Sequence, residues 1–473
     1  MTFKSESKET IEAVTAPILD IAIVGGGIAG LSAAYELSKH GIQFRVFEAG
    51  DRPGGVILTE RFDDWIIDAG PDAILRQKPA ALKLCQELGI AERLQTTLPP
   101  RTSYILRDKQ LHPLAEGSFL GFPLRLGALA RSSLFTLPGK VRMALEPLLA
   151  KRDTDNDETI AAFVQRRFGN EAVRYLAEPL LAGIHAGDVD RLSVRALFPR
   201  LVEAENHFGS VLKAFRTLQT PTSSKGAFVS LPGGIGELVE HLVNALPPQT
   251  LALSTRITDM QRTGTFLLKT SNGPIRARAV VLAVPAYVAA GLLRGIDTTL
   301  SSLCNKITYA STATVAFGYH KRQIDHPLNG TGFVVPRVEP NPLLAATWVS
   351  SKWPNRAPEG CVLLRGFLGG GRDQNCLEHS DDTLIEMARN GLSQVLHISG
   401  PPLFTRLYRW TQKSPQYEVG HHNRIVDIQQ QLTNVPGIFL AGSGFQAIGI
   451  PDCIDDGRAT AVQAAKFTNS QID

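Results

Sequence analysis

Residues 20–48, DIAIVGGGIAGLSAAYELSKHGIQFRVFE, constrain the fold of this chain more than any other stretch. A short apolar run leads into Gly25, Gly27 and Gly30, and a helical pattern then leads to a second apolar run that ends with an acid. The first glycine permits a tight turn, the second lets the backbone approach a phosphate, and the third lets the helix pack on the strand. Free N–H groups at the helix start attract a pyrophosphate, and Glu48 can accept from ribose hydroxyls. The stretch predicts a Rossmann-like dinucleotide-binding unit in a mixed α/β (α+β) protein.

The bulk composition narrows the class of protein. The 473 residues exceed what one hydrophobic core usually organises, and 43% hydrophobic with 20% charged residues is typical of a globular chain. A formal net charge of +4 is too small to indicate a nucleic-acid partner, and five scattered cysteines without a CxxC pair argue against a metal site or disulfides. Residues 1–17 read as a tail without a signal sequence, and no run of about eighteen apolar residues occurs. We therefore expect a cytoplasmic protein with at most peripheral contact to the inner (cytoplasmic) membrane.

Two further segments indicate which dinucleotide is bound. The stretch AGDRPGGVILTERFDDWIIDAGPD follows Glu48 and resembles the second motif of the FAD-binding, amine-oxidase-like flavoproteins, although Val56 stands where many members have Arg. The stretch VPGIFLAGSGFQAIGIPDCIDDGRATAVQAA resembles the segment that closes over the flavin in that family. No second complete GxGxxG motif is present, so an NAD(P)H domain is not expected. We predict FAD as the cofactor, reduced by the substrate and reoxidised by dioxygen or a quinone.

Segments in the middle and at the C-terminal end of the chain indicate which group of these flavoproteins the sequence resembles. Five segments resemble parts of the oxygen-dependent, FAD-containing protoporphyrinogen oxidases. They are a helix ending in RRFG, then EPLLAGIHAGD and LSVRALFP, and later YRWTQKSPQYEVGHHNRI and GIPDCIDDGRATA. The resemblance runs from Ile18 to Lys466. It implies oxidation of protoporphyrinogen IX to protoporphyrin IX by removal of six hydrogens, with dioxygen as acceptor and hydrogen peroxide as product. It also implies that the protein contacts a membrane surface, and it does not decide whether the protein forms a homodimer.

The resemblance implies two sets of site residues. The cofactor-binding positions are Gly25, Gly27, Ile28, Ala29, Gly30, Glu48, Ala49, Arg52, Gly54, Gly55, Gly70, Pro71, Asp72, Ile257, Trp410, Gly442, Gly449, Ile450 and Pro451. The substrate-binding positions are Arg101, Gly183, Ile184, Ala186, Val334, Thr347 and Phe367. Arg101 falls where the family has an arginine for a propionate, and a guanidinium fork suits a carboxylate. Phe367 is expected to stack on a pyrrole ring.

The stretch EPLLAGIHAGD, residues 178–188, is interpreted as a loop whose small residues, Gly183 and Ala186, leave room for a macrocycle. His185 is interpreted as a structural support of this loop, and the alternative is a base for N–H or meso protons. The pair at positions 421 and 422 in VGHHN is likewise interpreted as structural. No residue is assigned a catalytic role with certainty, because the flavin carries the chemistry.

A discontinuous domain organisation follows. Residues 18–95, 225–295 and 430–473 are predicted to form the FAD-binding domain, residues 96–210 a helical membrane-facing domain, and residues 211–224 and 296–429 a mixed-sheet substrate domain. The membrane prediction rests on Gly117–Leu145, which has no acid and carries Arg125, Arg131, Lys140 and Arg142 among apolar residues. An ordinary helical subdomain with solvated arginines is the alternative.

Other functions stay open. Coproporphyrinogen III as substrate would need extra cations for four propionates instead of two, and the sequence does not decide this. A flavin amine oxidase is disfavoured, because Ile448, Gly449 and Ile450 stand where such enzymes commonly place an aromatic residue. A redox-inactive FAD-bearing protein is the third alternative.

Overall fold

The computed structural model describes residues 18–115, 118, 121–123, 125–154, 156–217 and 226–471. The predicted tail of residues 1–17, much of the 211–224 segment and part of the basic stretch lie outside the described residues. Within the described ranges no helix has the length and apolar character needed to cross a bilayer.

The strands are β1 Ile18–Val24, β2 Phe44–Phe47, β3 Thr59–Phe62, β4 Trp65–Asp68, β5 Ile74–Leu75, β6 Gln95–Thr96, β7 Ser103–Arg107, β8 Gln110–Pro113, β9 Phe228–Ser230, β10 Leu251–Ala252, β11 Ile257–Thr263, β12 Thr265–Thr270, β13 Gly273–Leu282, β14 Thr308–His320, β15 Gly332–Val334, β16 Ala345–Trp348, β17 Cys361–Gly369, β18 Phe404–Gln416 and β19 Ile438–Leu440. The α-helices are α1 Ile28–Lys39, α2 Pro79–Glu87, α3 Leu126–Arg131, α4 Leu137–Ala144, α5 Ile160–Phe168, α6 Asn170–Ala172, α7 Glu178–His185, α8 Val194–Leu197, α9 Pro199–Phe208, α10 Val211–Thr217, α11 Gly236–Asn244, α12 Ala286–Leu293, α13 Thr298–Asn305, α14 Val349–Lys352, α15 Asp381–Leu396, α16 His421–Leu432 and α17 Ile450–Asn469.

The nucleotide unit is a seven-stranded sheet with helices on both faces. Its strand order is β10–β2–β1–β13–β12–β11, and β19 pairs with the far end of β13. The strands β10, β2, β1, β13 and β19 pair in parallel, whereas β11 and β12 add an antiparallel hairpin. Ile21 and Ile23 of β1 face a core with α1, α2, α11 and α17, and Ala22 and Val24 face a core with α12, α13 and α16. The predicted Rossmann-like fold is confirmed.

The second unit is a seven-stranded mixed sheet with the order β18–β14–β17–β16–β15–β7–β8. Helix α15 covers one face, where alternate side chains of β14 and β17 such as Phe317 and Leu364 are fully buried. Strands β7 and β8 were predicted within the helical domain, and the structure instead places them at the edge of this sheet. Strand β7 pairs in parallel with β15, more than two hundred residues away, and local periodicity does not report so distant a partner.

The helical unit packs around a core that includes Phe163, Phe168 and Leu176. Helix α10 belongs to this core through Val211 and Leu212, although residues 211–224 were predicted to join the substrate domain. The cause is a buried carboxylate on another element: Glu146 accepts the backbone N–H groups of both residues, at 3.0 and 3.2 Å. A carboxylate is favourable at the positive end of a helix, and it fixes α10 to the helical unit.

The predicted loop at residues 178–188 is largely helical. Helix α7 continues to His185, so Gly183 lies within its last turn, and the chain leaves the helix only at Ala186, whose φ is +49°. One glycine in a helix costs about 1 kcal/mol relative to alanine, which tertiary packing can override. The interpretation of residues 178–185 as part of a loop is therefore wrong, and the role of Gly183 beside the substrate stays a prediction.

Candidate active site

Three glycines at the start of α1 take three different steric roles. Gly25 has φ +107°, and a Cβ atom built on it would lie 2.3 Å from the carbonyl oxygen of Ala283. A Cβ on Gly30 would lie 2.0 Å from the carbonyl oxygen of Gly25, so the helix packs directly on the turn. A Cβ on Gly27 would meet no atom within 4 Å. Packing therefore excludes any side chain at Gly25 and Gly30, whereas Gly27 borders open space in which a phosphate group fits.

The second glycine motif docks on the first. The Gly54 N–H donates to the carbonyl oxygen of Gly26 at 2.8 Å, and a Cβ on Gly55 would lie 3.3 Å from the Gly27 Cα. The predicted cofactor residue Arg52 turns its guanidinium into this loop, where it donates to three carbonyl oxygens. These acceptors are Pro53 at 3.2 Å, Gly55 at 2.7 Å and Ile57 at 3.1 Å. Arg52 therefore stabilises the conformation of the loop that contains Gly54 and Gly55.

The acid at the end of β2 is anchored by backbone groups. Glu48 accepts the N–H of Gly26 at 2.6 Å through one carboxylate oxygen and the N–H of Gly50 at 2.8 Å through the other. These two contacts place the carboxylate, and with it Ala49, beside the glycine turn. Each oxygen keeps a lone pair that a ribose hydroxyl can use. Ile257, another predicted cofactor position, begins β11 and is buried in the core beneath the sheet.

The C-terminal helix α17 packs across the first turn of α1. A Cβ on Gly457 would lie 2.2 Å from the carbonyl oxygen of Ala29, and Gly442 lies against the same alanine side chain. Neither helix has a side-chain cap at its N-cap residue, which is Gly27 before α1 and Gly449 before α17. The first turns contain the predicted positions Ile28, Ile450 and Pro451. Uncapped N–H groups at two packed helix starts suit the phosphates of a dinucleotide, and the residues present therefore fit FAD.

The segment after β4 connects the two sheets. The indole N–H of Trp410 donates to the carbonyl oxygen of Ala69 at 3.2 Å, and a Cβ on Gly70 would lie 2.1 Å from the carbonyl oxygen of Val56. Next to Pro71, Asp72 is buried and forms ion pairs with cations of the second unit. Its pKa lies well below the usual range, because these cations outweigh the cost of burial. Asp72 therefore holds the segment in place.

Three predicted substrate positions share one face of the second sheet. Val334 pairs with Ala345, Ala345 pairs with Phe367, and Thr347 lies two residues further along β16. Side chains two residues apart in a strand point to the same face, and the opposite face is the one under α15. Val334, Thr347 and Phe367 are half-buried on this exposed face. Tertiary pairing therefore brings together residues that are far apart in the sequence.

The remaining substrate positions lie at two ends of this face. At one end, the carbonyl oxygen of Ala186, which follows α7, accepts the N–H of Gly371 at 2.7 Å. Gly371 lies two residues beyond the end of β17. In the same helix end, the side chain of Ile184 is 60% exposed. Arg101 precedes β7, at the opposite end of the strands, and its Nε donates to the backbone oxygen of Thr97 at 3.0 Å. The structure therefore places Arg101 and α7 at opposite ends of the sheet face.

His185 and His421 are both buried in environments that favour the neutral imidazole near pH 7. Burial lowers the pKa of His185 to about 4, and the ring packs edge-on against Phe198. Burial also lowers the pKa of His421 to about 4, while its Nε2 lies 2.6 Å from the carbonyl oxygen of Phe445 and its ring stacks on Tyr417. So weak a base accepts little proton at neutral pH. The structural interpretation of His185 stays a prediction, and this environment favours it.

The sequence interpretation missed a group of charged residues between the two sheets. Arg365 lies in the otherwise apolar strand CVLLRGFLG and contacts Asp72, and Arg356 contacts Asp68. A charged residue in the middle of a buried strand was the available signal, since arginine is seldom fully buried unless paired.

Comparison with known proteins places the chain in a family. Residues 28–465 match the model of the flavin-containing amine oxidoreductases. Coproporphyrinogen III oxidase of Bacillus subtilis (strain 168) is 34% identical over 463 residues, which cover 94% of this chain and 98% of the relative. Protoporphyrinogen oxidase 1, chloroplastic, of Spinacia oleracea is 29% identical and covers 96% and 86% of the two chains.

A solved structure from Exiguobacterium sp. 255-15, assigned by name to the protoporphyrinogen oxidases, superposes with a TM-score of 0.85 at 31% identity and covers 95% of this chain and 100% of that one. Cyclohexylamine oxidase of Brevibacterium oxydans, at 16% identity and a TM-score of 0.71, shares the fold. The chain therefore belongs to the flavin-containing amine oxidoreductase family and is an FAD-dependent oxidoreductase.

Proposed function

We propose that the protein oxidises protoporphyrinogen IX to protoporphyrin IX, with dioxygen as the final acceptor. We call residues 69–72, which follow β4 and include predicted cofactor positions, the flavin segment. The observation that carries the proposal is the half-buried sheet face of Val334, Thr347 and Phe367, which the neighbouring Arg365 connects to Gly70 of the flavin segment. A broad face with an aromatic residue suits a flat, apolar macrocycle. Relatives named as porphyrinogen oxidases match nearly the whole chain, which supports this choice of substrate class.

FAD, when bound, supplies the hydride acceptor and passes the electrons to dioxygen. Loss of six hydrogens corresponds to three two-electron oxidations, each of which converts one dioxygen to one hydrogen peroxide. The chain's own residues hold the reactants: Trp410 and the buried ion pairs fix the flavin segment, and Phe367 packs against the macrocycle. Arg101, at the exposed end of the face, binds a propionate.

Coproporphyrinogen III is a second candidate substrate. Three relatives named coproporphyrinogen III oxidase are 34%, 32% and 29% identical to this chain, whereas three relatives named chloroplastic protoporphyrinogen oxidase are 28–29% identical. The two substrates share the macrocycle and differ in the number of propionates, so the sheet face accommodates both. We expect the residues at the rim of the site, which would bind the propionates, to determine which of the two porphyrinogens is the substrate.

The test compares both porphyrinogens under anaerobic conditions and then in air. We expect porphyrinogen to bleach the flavin absorbance without oxygen and to give porphyrin fluorescence with oxygen. Phe367→Ala is expected to raise KM at least about fivefold while FAD stays bound, because a stacked ring contributes about 1 kcal/mol beyond the area it buries. Phe208→Ala, at a 41% exposed phenylalanine of α9, is the matched control. Bleaching by a primary amine and by neither porphyrinogen would show an amine oxidase instead.

We also propose that the helical unit docks on an anionic membrane surface. Leu137, Val141, Leu145 and Leu148 form an exposed apolar row along α4 and the turn after it, and they are 74%, 51%, 45% and 79% exposed. Two of the four basic residues make contacts within the unit: Arg142 donates to the carbonyl oxygens of residues 165–167 at the end of α5, and the Lys140 ammonium donates to the carbonyl oxygen of Ala130. An exposed apolar row favours insertion at the bilayer interface.

Vesicles that contain phosphatidylglycerol are expected to co-sediment the protein, and Leu137→Ser with Leu148→Ser is expected to reduce the bound fraction at least threefold. Val426→Ser, at a 49% exposed valine of α16, is the control. If vesicles bind neither form and the leucine variants change the molecular mass in solution, the row is a homodimer contact and the membrane proposal is wrong.

A further inference from the structure

Five charged residues form a buried cluster between the flavin segment and the second sheet. This cation cluster consists of Asp68, Asp72, Lys352, Arg356 and Arg365. The side chains of Arg356 and Arg365 are 0% and 2% exposed, and that of Lys352 is 15% exposed. Ionised groups are seldom buried to this extent unless another charge compensates them.

The cluster contacts the backbone of the flavin segment directly. The guanidinium of Arg365 donates to the carbonyl oxygen of Asp68 and, at 3.0 Å, to that of Gly70. It also lies over the ring of Phe367, with 5.2 Å from its Cζ atom to the ring centroid. Arg365 therefore stands between the backbone that borders the cofactor and the face proposed for the substrate.

The charges in the cluster do not balance. Three cations face two carboxylates, and one carboxylate, Asp68, uses an oxygen to accept from Thr59 at 2.6 Å and from the N–H of Ile235 at 2.8 Å. Nε and Nη1 of Arg356 and Nε of Arg365 have no hydrogen-bond partner among the described residues. One positive charge is therefore left over in a largely buried region.

The charged groups next to the cluster do not supply the missing anion. Glu60 binds the guanidinium of Arg406 at 2.8 Å and the hydroxyl of Tyr408 at 2.6 Å. Arg61 adds another cation nearby, and its own partner is Glu240 on the surface. The surplus positive charge therefore has no anion among the described groups around it, and the segment it contacts is the one that borders the cofactor.

We propose that the surplus positive charge of the cation cluster stabilises the negative charge that FAD gains when it is reduced, and so raises the reduction potential of the bound cofactor. Transfer of a hydride adds two electrons and one proton to FAD, which is a gain of one negative charge. A buried charge acts on this change more strongly than an exposed charge, because less water screens it. The five residues are positioning residues in this proposal, and it depends on FAD binding, not on the identity of the substrate.

The experiment measures the two-electron reduction potential of the bound FAD in variants that change the cluster charge in opposite directions. Arg356→Met removes a cation and is expected to weaken binding of reduced relative to oxidised FAD about tenfold, which lowers the potential by about 30 mV. Asp72→Asn removes an anion and is expected to raise the potential. Arg356→Lys keeps the charge and is expected to stay near the wild-type value.

Two controls separate charge from structural damage. Arg406→Met removes a surface cation on the same face of the sheet and is expected to leave the potential unchanged. Sulfite adds to oxidised flavin as an anion, so its dissociation constant should rise about tenfold in Arg356→Met and fall in Asp72→Asn. If Arg356→Met does not retain FAD, Lys352→Met removes a cation at the rim of the cluster and must lower the potential in the same way. Shifts of the same sign in the methionine and asparagine variants, or no shift in either, would overturn the proposal.

Discussion

Gly30→Ala is expected to abolish most FAD binding, although it adds only one methyl group. The new Cβ would lie 2.0 Å from the carbonyl oxygen of Gly25 and 3.2 Å from the Cβ of Ala283. The first contact is with backbone, which cannot rotate away, so α1 must move off the turn. Overpacking of this kind costs about 3 kcal/mol, which corresponds to about a hundredfold loss of FAD affinity. The measurement is the ratio of flavin to protein absorbance after dialysis against known FAD concentrations.

Gly291→Ala is the matched control in the same unit. Gly291 lies in α12, and a Cβ there would meet no atom within 4 Å. Alanine is a better helix former than glycine by about 1 kcal/mol, so this variant should keep its FAD and its stability. Wild-type FAD content in Gly30→Ala would show that contact between α1 and the glycine turn does not shape the cofactor site.

Arg167→Met is expected to destabilise the helical unit by about 3–5 kcal/mol. Arg167 is fully buried, donates to the Glu146 carboxylate and binds the carbonyl oxygen of Gly209 at 2.9 Å. Glu146 in turn accepts from the hydroxyl of Ser210 and from the first N–H groups of α10. Methionine keeps much of the volume but leaves a buried carboxylate without its cation. Denaturant unfolding, with hydrogen exchange in α5 and α10, measures the loss.

The control for this prediction is an exposed ion pair. Lys269 and Asp259 lie 3.8 Å apart with 54% and 42% of their side chains exposed, and such pairs contribute at most about 1 kcal/mol. Lys269→Met should therefore leave the unfolding midpoint almost unchanged. Equal effects of the two substitutions would mean that burial of the Glu146–Arg167 pair adds nothing to the stability of the helical unit.

The candidate site shows where local patterns are sufficient and where they fail. The glycine positions 25, 27 and 30 each have the steric role that their spacing predicts. The contact of Gly30 with the Gly25 carbonyl oxygen lies within one strand–turn–helix unit, whereas the close contact of Gly25 with Ala283 comes from a distant part of the chain. The loop predicted at residues 178–188 is a helix to His185, because its packing depends on distant groups such as the Arg337 N–H that Glu178 accepts at 2.8 Å. Local composition favoured a turn there, and long-range contacts determined the helix.

The sequence by itself determined the nucleotide unit, the cofactor and the family, since these depend on short motifs whose residue types and spacing can be read directly from the chain. Only the tertiary structure decided which strands build the substrate face, that α10 belongs to the helical unit, and that Asp68 and Asp72 meet three cations from residues 352–365. The physical reason is that strand pairing joins residues hundreds of positions apart, and ion pairs in the interior do the same. Such contacts leave no periodic pattern in the chain, and they place the buried charges against the backbone of Asp68 and Gly70.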